Sequence, residues 1–203
     1  MKLLLTSAGL STAAIKKKFL ELISKKTEEI SVAFVAMASD VEEDKSYVEK
    51  DKELFAGIGV KLKDVDLKNK TMVELKEEIK NVDAIFVEGG NTFYLLYWIR
   101  RSGFDEVIEE MLSKGKVYVG ASAGSIILGP SIETSGWEGG DRADVVELDS
   151  LEGLGLVNFG IYPHVKDDQR EFLEEKGQKL SYKLILLTDE QAVVVEDSRW
   201  GVI

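Results

Sequence analysis

The sequence predicts an α/β fold, a three-layer sandwich with a mostly parallel central sheet, built from residues 1–203 as one domain. Apolar runs recur at residues 3–5, 32–37, 84–87 and 117–119. Each is too short for a helix and reads as a strand buried on both faces, as parallel strands are. Amphipathic helical stretches separate the runs. Their alternation implies right-handed crossovers, which put helices on both sides of the sheet.

The elements follow in order. A first helix is carried by Ile15, Phe19, Leu22 and Ile23, which share one face. In "DVEEDKSYVEKDKE" and the residues just after it, Tyr47, Val48, Leu54 and Phe55 fall on one helical face, so the charges point outward. Thr71 and Glu74 stand in capping-box spacing and open another helix. A helix begins near Asn91, and Phe104, Val107, Ile108, Met111 and Leu112 mark the next at i, i+3, i+4, i+7 and i+8. After Pro130 the chain is rich in glycine and acids without a sustained period and reads as loop with short strands. A helix is expected over 167–179, and apolar runs at 184–187 and 192–195, separated by "TDEQ", predict a hairpin that closes the fold. No internal repeat or low-complexity linker marks a domain boundary.

Composition narrows the function. The 203 residues are 44% hydrophobic, enough for one sizeable core. No run approaches the roughly 18 apolar residues of a membrane span and the N-terminal run is too short for a secretory signal, so a cytoplasmic protein is expected. A net charge of −11 argues against nucleic acid or an anionic membrane as partner. With no cysteine, covalent catalysis must use a hydroxyl, an amine or a carboxylate. One histidine and no cysteine leave little for zinc, and no cofactor is expected.

Three motifs carry chemistry. In "KVYVGASAGSIILGP", Ser122 lies between Gly120 and Gly124 at the end of a predicted strand, the Gly-x-Ser-x-Gly pattern of a nucleophile elbow. The alternative is a glycine-rich turn in which Ser122 or Ser125 caps the following helix. His164, in "GIYPHVKD", is the single histidine and the available base for a serine hydroxyl, although a lone histidine is more often structural. In "VEGGNTFYLL", Gly89 and Gly90 follow a strand and precede a helix, so their N–H groups can hold an anion; an ordinary turn capped by Asn91 or Thr92 is the alternative. Donor loop, elbow and histidine, each after a strand, form a hydrolase constellation.

On "LLLTSAG", "GGNTFYLL", "VYVGASAGSIILGPSIET" and "YPHV", the chain resembles the peptidase E (aspartyl dipeptidase) family, serine peptidases related to cyanophycinases with a class I glutamine amidotransferase-like fold. The resemblance implies Ser122 as nucleophile, His164 as base, the N–H groups of Gly90 and Ala123 as oxyanion hole, and a short peptide substrate with an acidic N-terminal residue. Asn91 and Arg170 stand as substrate-binding candidates, and a monomer or homodimer is expected. The sequence departs from the family twice. Where aspartyl-specific members carry a triad aspartate, seven residues after the proline, this chain has Trp137; Glu138 leads as the replacement acid, with Asp141 and Asp144 behind it. The family's substrate-pairing arginine falls near Asp167, with Arg170 offset, which puts aspartyl specificity in question. Hydrolysis of another amide, such as an isopeptide or cyanophycin-like bond, and a noncatalytic binding protein are the rival readings.

Overall fold

Each of the four apolar runs becomes a strand in the computed structural model, which describes residues 1–137 and 139–203. The chain opens with β1 (Lys2–Thr6) and α1 (Ala13–Ile23), whose first turn is capped by the Thr12 hydroxyl accepting from the Ile15 N–H. It continues through β2 (Ser31–Val35), α2 (Ser46–Gly57) and β3 (Lys61–Asp64) to α3 (Met72–Ile79), where the Thr71–Glu74 capping box forms as predicted. Next come β4 (Ala84–Val87), α4 (Thr92–Ser102), α5 (Phe104–Ser113), β5 (Val117–Ala121) and the short α6 (Ala123–Ile126). After a long irregular stretch, β6 (Phe159–Tyr162), α7 (Arg170–Gly177), β7 (Lys183–Leu186), β8 (Ala192–Glu196) and β9 (Arg199–Val202) complete the order.

The main sheet has the order β3-β2-β4-β5-β1-β8-β9. Its first five strands are mutually parallel, while β8 runs antiparallel to β1 and β9 antiparallel to β8. Side chains alternate between two cores. Leu4, Val32, Phe34, Phe86 and Val119 face α1 and α2, where Phe34, Phe55 and Phe86 pack with ring centroids 5.0–6.4 Å apart. Leu3, Leu5, Val35, Val87 and Tyr118 face α3, α4 and α5. Three layers result, and burying each large apolar side chain contributes about 1.5–3 kcal/mol. Among the described residues no helix is long and apolar enough to cross a membrane.

Two expectations are corrected. The runs at 184–187 and 192–195 do not pair with each other: β7 pairs in parallel with β6 in a separate two-stranded sheet, whereas β8 joins the main sheet beside β1. Burial explains the choice. Ala192, Val193, Val194 and Val195 are all buried, which only an interior position of the large sheet allows, while β7 is largely half-exposed. The strand β3 was not expected, because "KLKD" is charged and mostly exposed; it is an edge strand held by pairing to β2 alone.

Candidate active site

Parallel strands all end at one edge of a sheet, and here β1, β4 and β5 end together. An antiparallel neighbour begins where they end. Ala192, the first residue of β8, lies opposite Thr6, the last of β1, so the "TDEQ" connection that precedes β8 arrives at this same edge.

Ser122 sits at the strand-to-helix junction with φ 47° and ψ −109°, a conformation few non-glycine residues adopt. The flanking glycines permit it by close approach. A Cβ on Gly120 would lie 2.5 Å from the Gly124 carbonyl oxygen, and one on Gly124 would lie 2.1 Å from that of Val87. Ser125 has a different task, because its buried hydroxyl lies 2.8 Å from both the Thr6 and the Gly120 carbonyl oxygens.

His164 follows β6 and Pro163, also at positive φ, 59°. Its backbone N–H donates to Ser7 Oγ at 2.8 Å, which ties it to the end of β1. Its Nε2 lies 3.0 Å from Ser122 Oγ, and its Nδ1 lies 2.6 Å from Asp189 Oδ1. With a carboxylate at Nδ1, that nitrogen carries the proton and Nε2 is free to accept from the serine hydroxyl. Asp189 is held in turn: Ser7 Oγ donates to its Oδ1 at 3.0 Å, and Ser11 Oγ donates to its backbone carbonyl at 2.6 Å. The His164 and Asp189 side chains remain 51% and 62% exposed, so the relay opens to solvent.

Gly90 takes φ +124°, and a Cβ there would lie 2.4 Å from the Ala38 carbonyl oxygen. Among the described residues the Gly90 N–H donates no hydrogen bond, and Ala123 is the first residue of α6, where an N–H has no partner within the helix. Both donors stand on segments that flank Ser122.

The other candidates go elsewhere. Glu138 lies outside the described residues. Asp141 Oδ2 accepts from the Thr92 N–H at 2.8 Å, and Asp144 pairs with Arg142 on the surface, so neither carboxylate is hydrogen-bonded to the imidazole. Asn91 is buried. Its Oδ1 caps α4 by accepting from the Tyr94 N–H, and its Nδ2 donates to the Arg142 carbonyl, which uses its amide for structure. Arg170 is the first residue of α7 and lines neither cavity at Ser122. Trp137 stacks at a tilt on Tyr162, with ring centroids 5.9 Å apart, and walls one cavity. Asp189 was missed because "TDEQ" reads as a hairpin turn; its signal is an acid in the loop before a strand that is buried from Ala192 to Val195.

Two cavities meet at Ser122 and His164. One, of about 480 Å³, is lined by Ser7, Ala8, Gly9, Tyr47 and Gly90, and by the acidic residues Glu42, Asp51, Glu88 and Asp141. The other, of about 330 Å³, holds Trp137, Tyr162, Lys166 and Gln169. Burial, then the neighbouring Asp51 carboxyl, push Glu88 far above the usual carboxylate range; burial also raises Asp51. Burial raises Asp141 as well, opposed by its bonds to Thr92.

Known proteins share this architecture. The family model for peptidase family S51 matches residues 3–203. An uncharacterized peptidase of Listeria monocytogenes is 32% identical over 174 residues, covering 86% of this chain and 82% of the relative. A peptidase E of a Nostoc species is 35% identical over 134 residues, 66% of this chain and 51% of that longer protein. The crystal structure of a Listeria monocytogenes protein provisionally named a peptidase E superposes with a TM-score of 0.85 at 28% identity, covering 100% of this chain and 97% of the other. A family model spanning almost every residue, matched by a relative of similar length and by a superposition of the whole fold, means that the chain belongs to peptidase family S51.

Proposed function

We propose that the protein is a serine-type peptidase that hydrolyses short peptides through an acyl-enzyme. The observation that carries this is the continuous relay from Asp189 through His164 to Ser122, with contacts of 2.6 and 3.0 Å. His164 Nε2 takes the hydroxyl proton as Ser122 Oγ attacks the peptide carbonyl, and the Gly90 and Ala123 N–H groups receive the developing oxyanion. His164 then gives its proton to the departing amine. Water, deprotonated by the same nitrogen, attacks the ester and releases the acid, which restores Ser122. Asp189 keeps the imidazole in the required tautomer and stabilises the imidazolium.

Short substrates suit two small cavities that meet at the serine. Arg170 lines neither cavity and the larger one is rich in acidic residues, so an acidic N-terminal residue is no part of this proposal. A serine-directed fluorophosphonate tests the reading. It should label Ser122 in the native protein, with the adduct located by mass spectrometry, and fail to label the His164→Ala protein. A folded native protein that resists labelling, and cleaves no member of a dipeptide library, refutes it.

A further inference from the structure

Glu88 sits immediately before the glycines that flank the nucleophile, and a Cβ on Gly89 would lie only 3.2 Å from Ser122 Cβ. Its residue is 2% exposed, yet it lines the larger cavity. One carboxyl oxygen, Oε1, accepts from the Gly89 N–H at 2.8 Å. The other, Oε2, is buried and receives no hydrogen bond from any described donor. The charged neighbour of the Glu88 carboxyl is that of Asp51, a second acceptor rather than a cation, while Asp51 itself is also influenced by Lys16. Among the described residues none of Glu42, Asp51, Glu88 and Asp141 forms an ion pair, although all four line one cavity. Lys50 contributes the one ammonium in its lining, from an exposed position, and His164 stands beside the serine.

A buried carboxyl such as Glu88 beside a half-buried one such as Asp51 costs stability unless something compensates them. Holding a proton on Glu88 is one compensation, and burial, the largest cause of its upward displacement, favours it. A cation compensates better, because it attracts both oxygens at once and supplies the donors Oε2 lacks. Tyr47 lines the same space, with its hydroxyl donating to the Gly89 carbonyl at 3.5 Å.

We propose that this cavity is the subsite for a cationic group of the substrate, an α-ammonium or a basic side chain, held between Glu88 and Asp51. That the ligand is a substrate rests on the peptidase reading above; that the cavity takes a cation does not. The Ser122→Ala protein therefore serves for binding, measured by calorimetry at neutral pH with three probes. Alaninamide carries only an α-ammonium, Nα-acetyl-lysinamide only a side-chain ammonium, and Nα-acetyl-alaninamide neither.

At least one cationic probe should bind tenfold or more tightly than the neutral one, and Glu88→Gln or Asp51→Asn should each remove most of that difference. Whichever cationic probe binds identifies the source of the charge. Equal binding of all three probes, no binding of either cationic probe, or cation binding indifferent to both substitutions would overturn the subsite. Fluorophosphonate labelling of the native chain is read separately. Cation binding without labelling keeps the subsite and removes the peptidase, whereas labelling without cation preference does the reverse.

Discussion

Asp189 and Ser125 show how far a side chain's task depends on what holds it. Asp189 is fixed by Ser7 and Ser11 with one oxygen against the imidazole, so Asp189→Asn should keep the fold and lower turnover by about four orders of magnitude, as loss of the orienting acid does elsewhere. Dipeptide hydrolysis and circular dichroism on the same preparation check both halves. Asp141→Asn should cost far less, since its carboxylate serves the start of α4. A large loss in Glu138→Gln with none in Asp189→Asn would reassign the acid. Ser125→Ala should have the opposite signature, with activity kept and stability lowered by about 1 kcal/mol, because its hydroxyl bonds only backbone carbonyls. A melting curve beside a labelling assay distinguishes the two.

At the scale of elements, the connections carry the chemistry and the strands position it. Asn91 caps α4 and clips the segment at Arg142, so Asn91→Ala should destabilise by about 1 kcal/mol in chemical denaturation and leave fluorophosphonate labelling of Ser122 nearly intact. The same scale marks where the sequence could be read. Ser122 and His164 were legible because an elbow requires small neighbours and because the chain has one histidine. The strands β1, β2, β4 and β5 were legible because burial on both faces leaves no polar alternation. Asp189 was not. Its place depends on β7 and β8 belonging to different sheets, and nothing local in "TDEQ" separates a hairpin turn from a crossing between sheets. Strand β3 was hidden for the complementary reason, that an edge strand needs little apolar character.

For the whole molecule, the buried Glu88 carboxyl links stability to pH. The unfolded chain, with Glu88 near its ordinary 4.5, has lost this proton at neutral pH while the folded chain retains it. Stability is therefore complete below the ordinary value and declines as pH rises through the folded one, by about 1.4 kcal/mol per pH unit for one proton. Denaturation midpoints should fall from about pH 5 to about pH 8, and Glu88→Gln should flatten that slope. The topology has a separate effect, on timing. Strand β1 is made well before β8, yet they are neighbours, and Asp189 meets His164 only with the loop that leads into β8. On a ribosome, Ser122 and His164 emerge before Asp189, and the carboxylate can be held against the imidazole only after β8 has followed it. The three-residue relay is thus a property of the folded chain, complete only once β8 has docked beside β1.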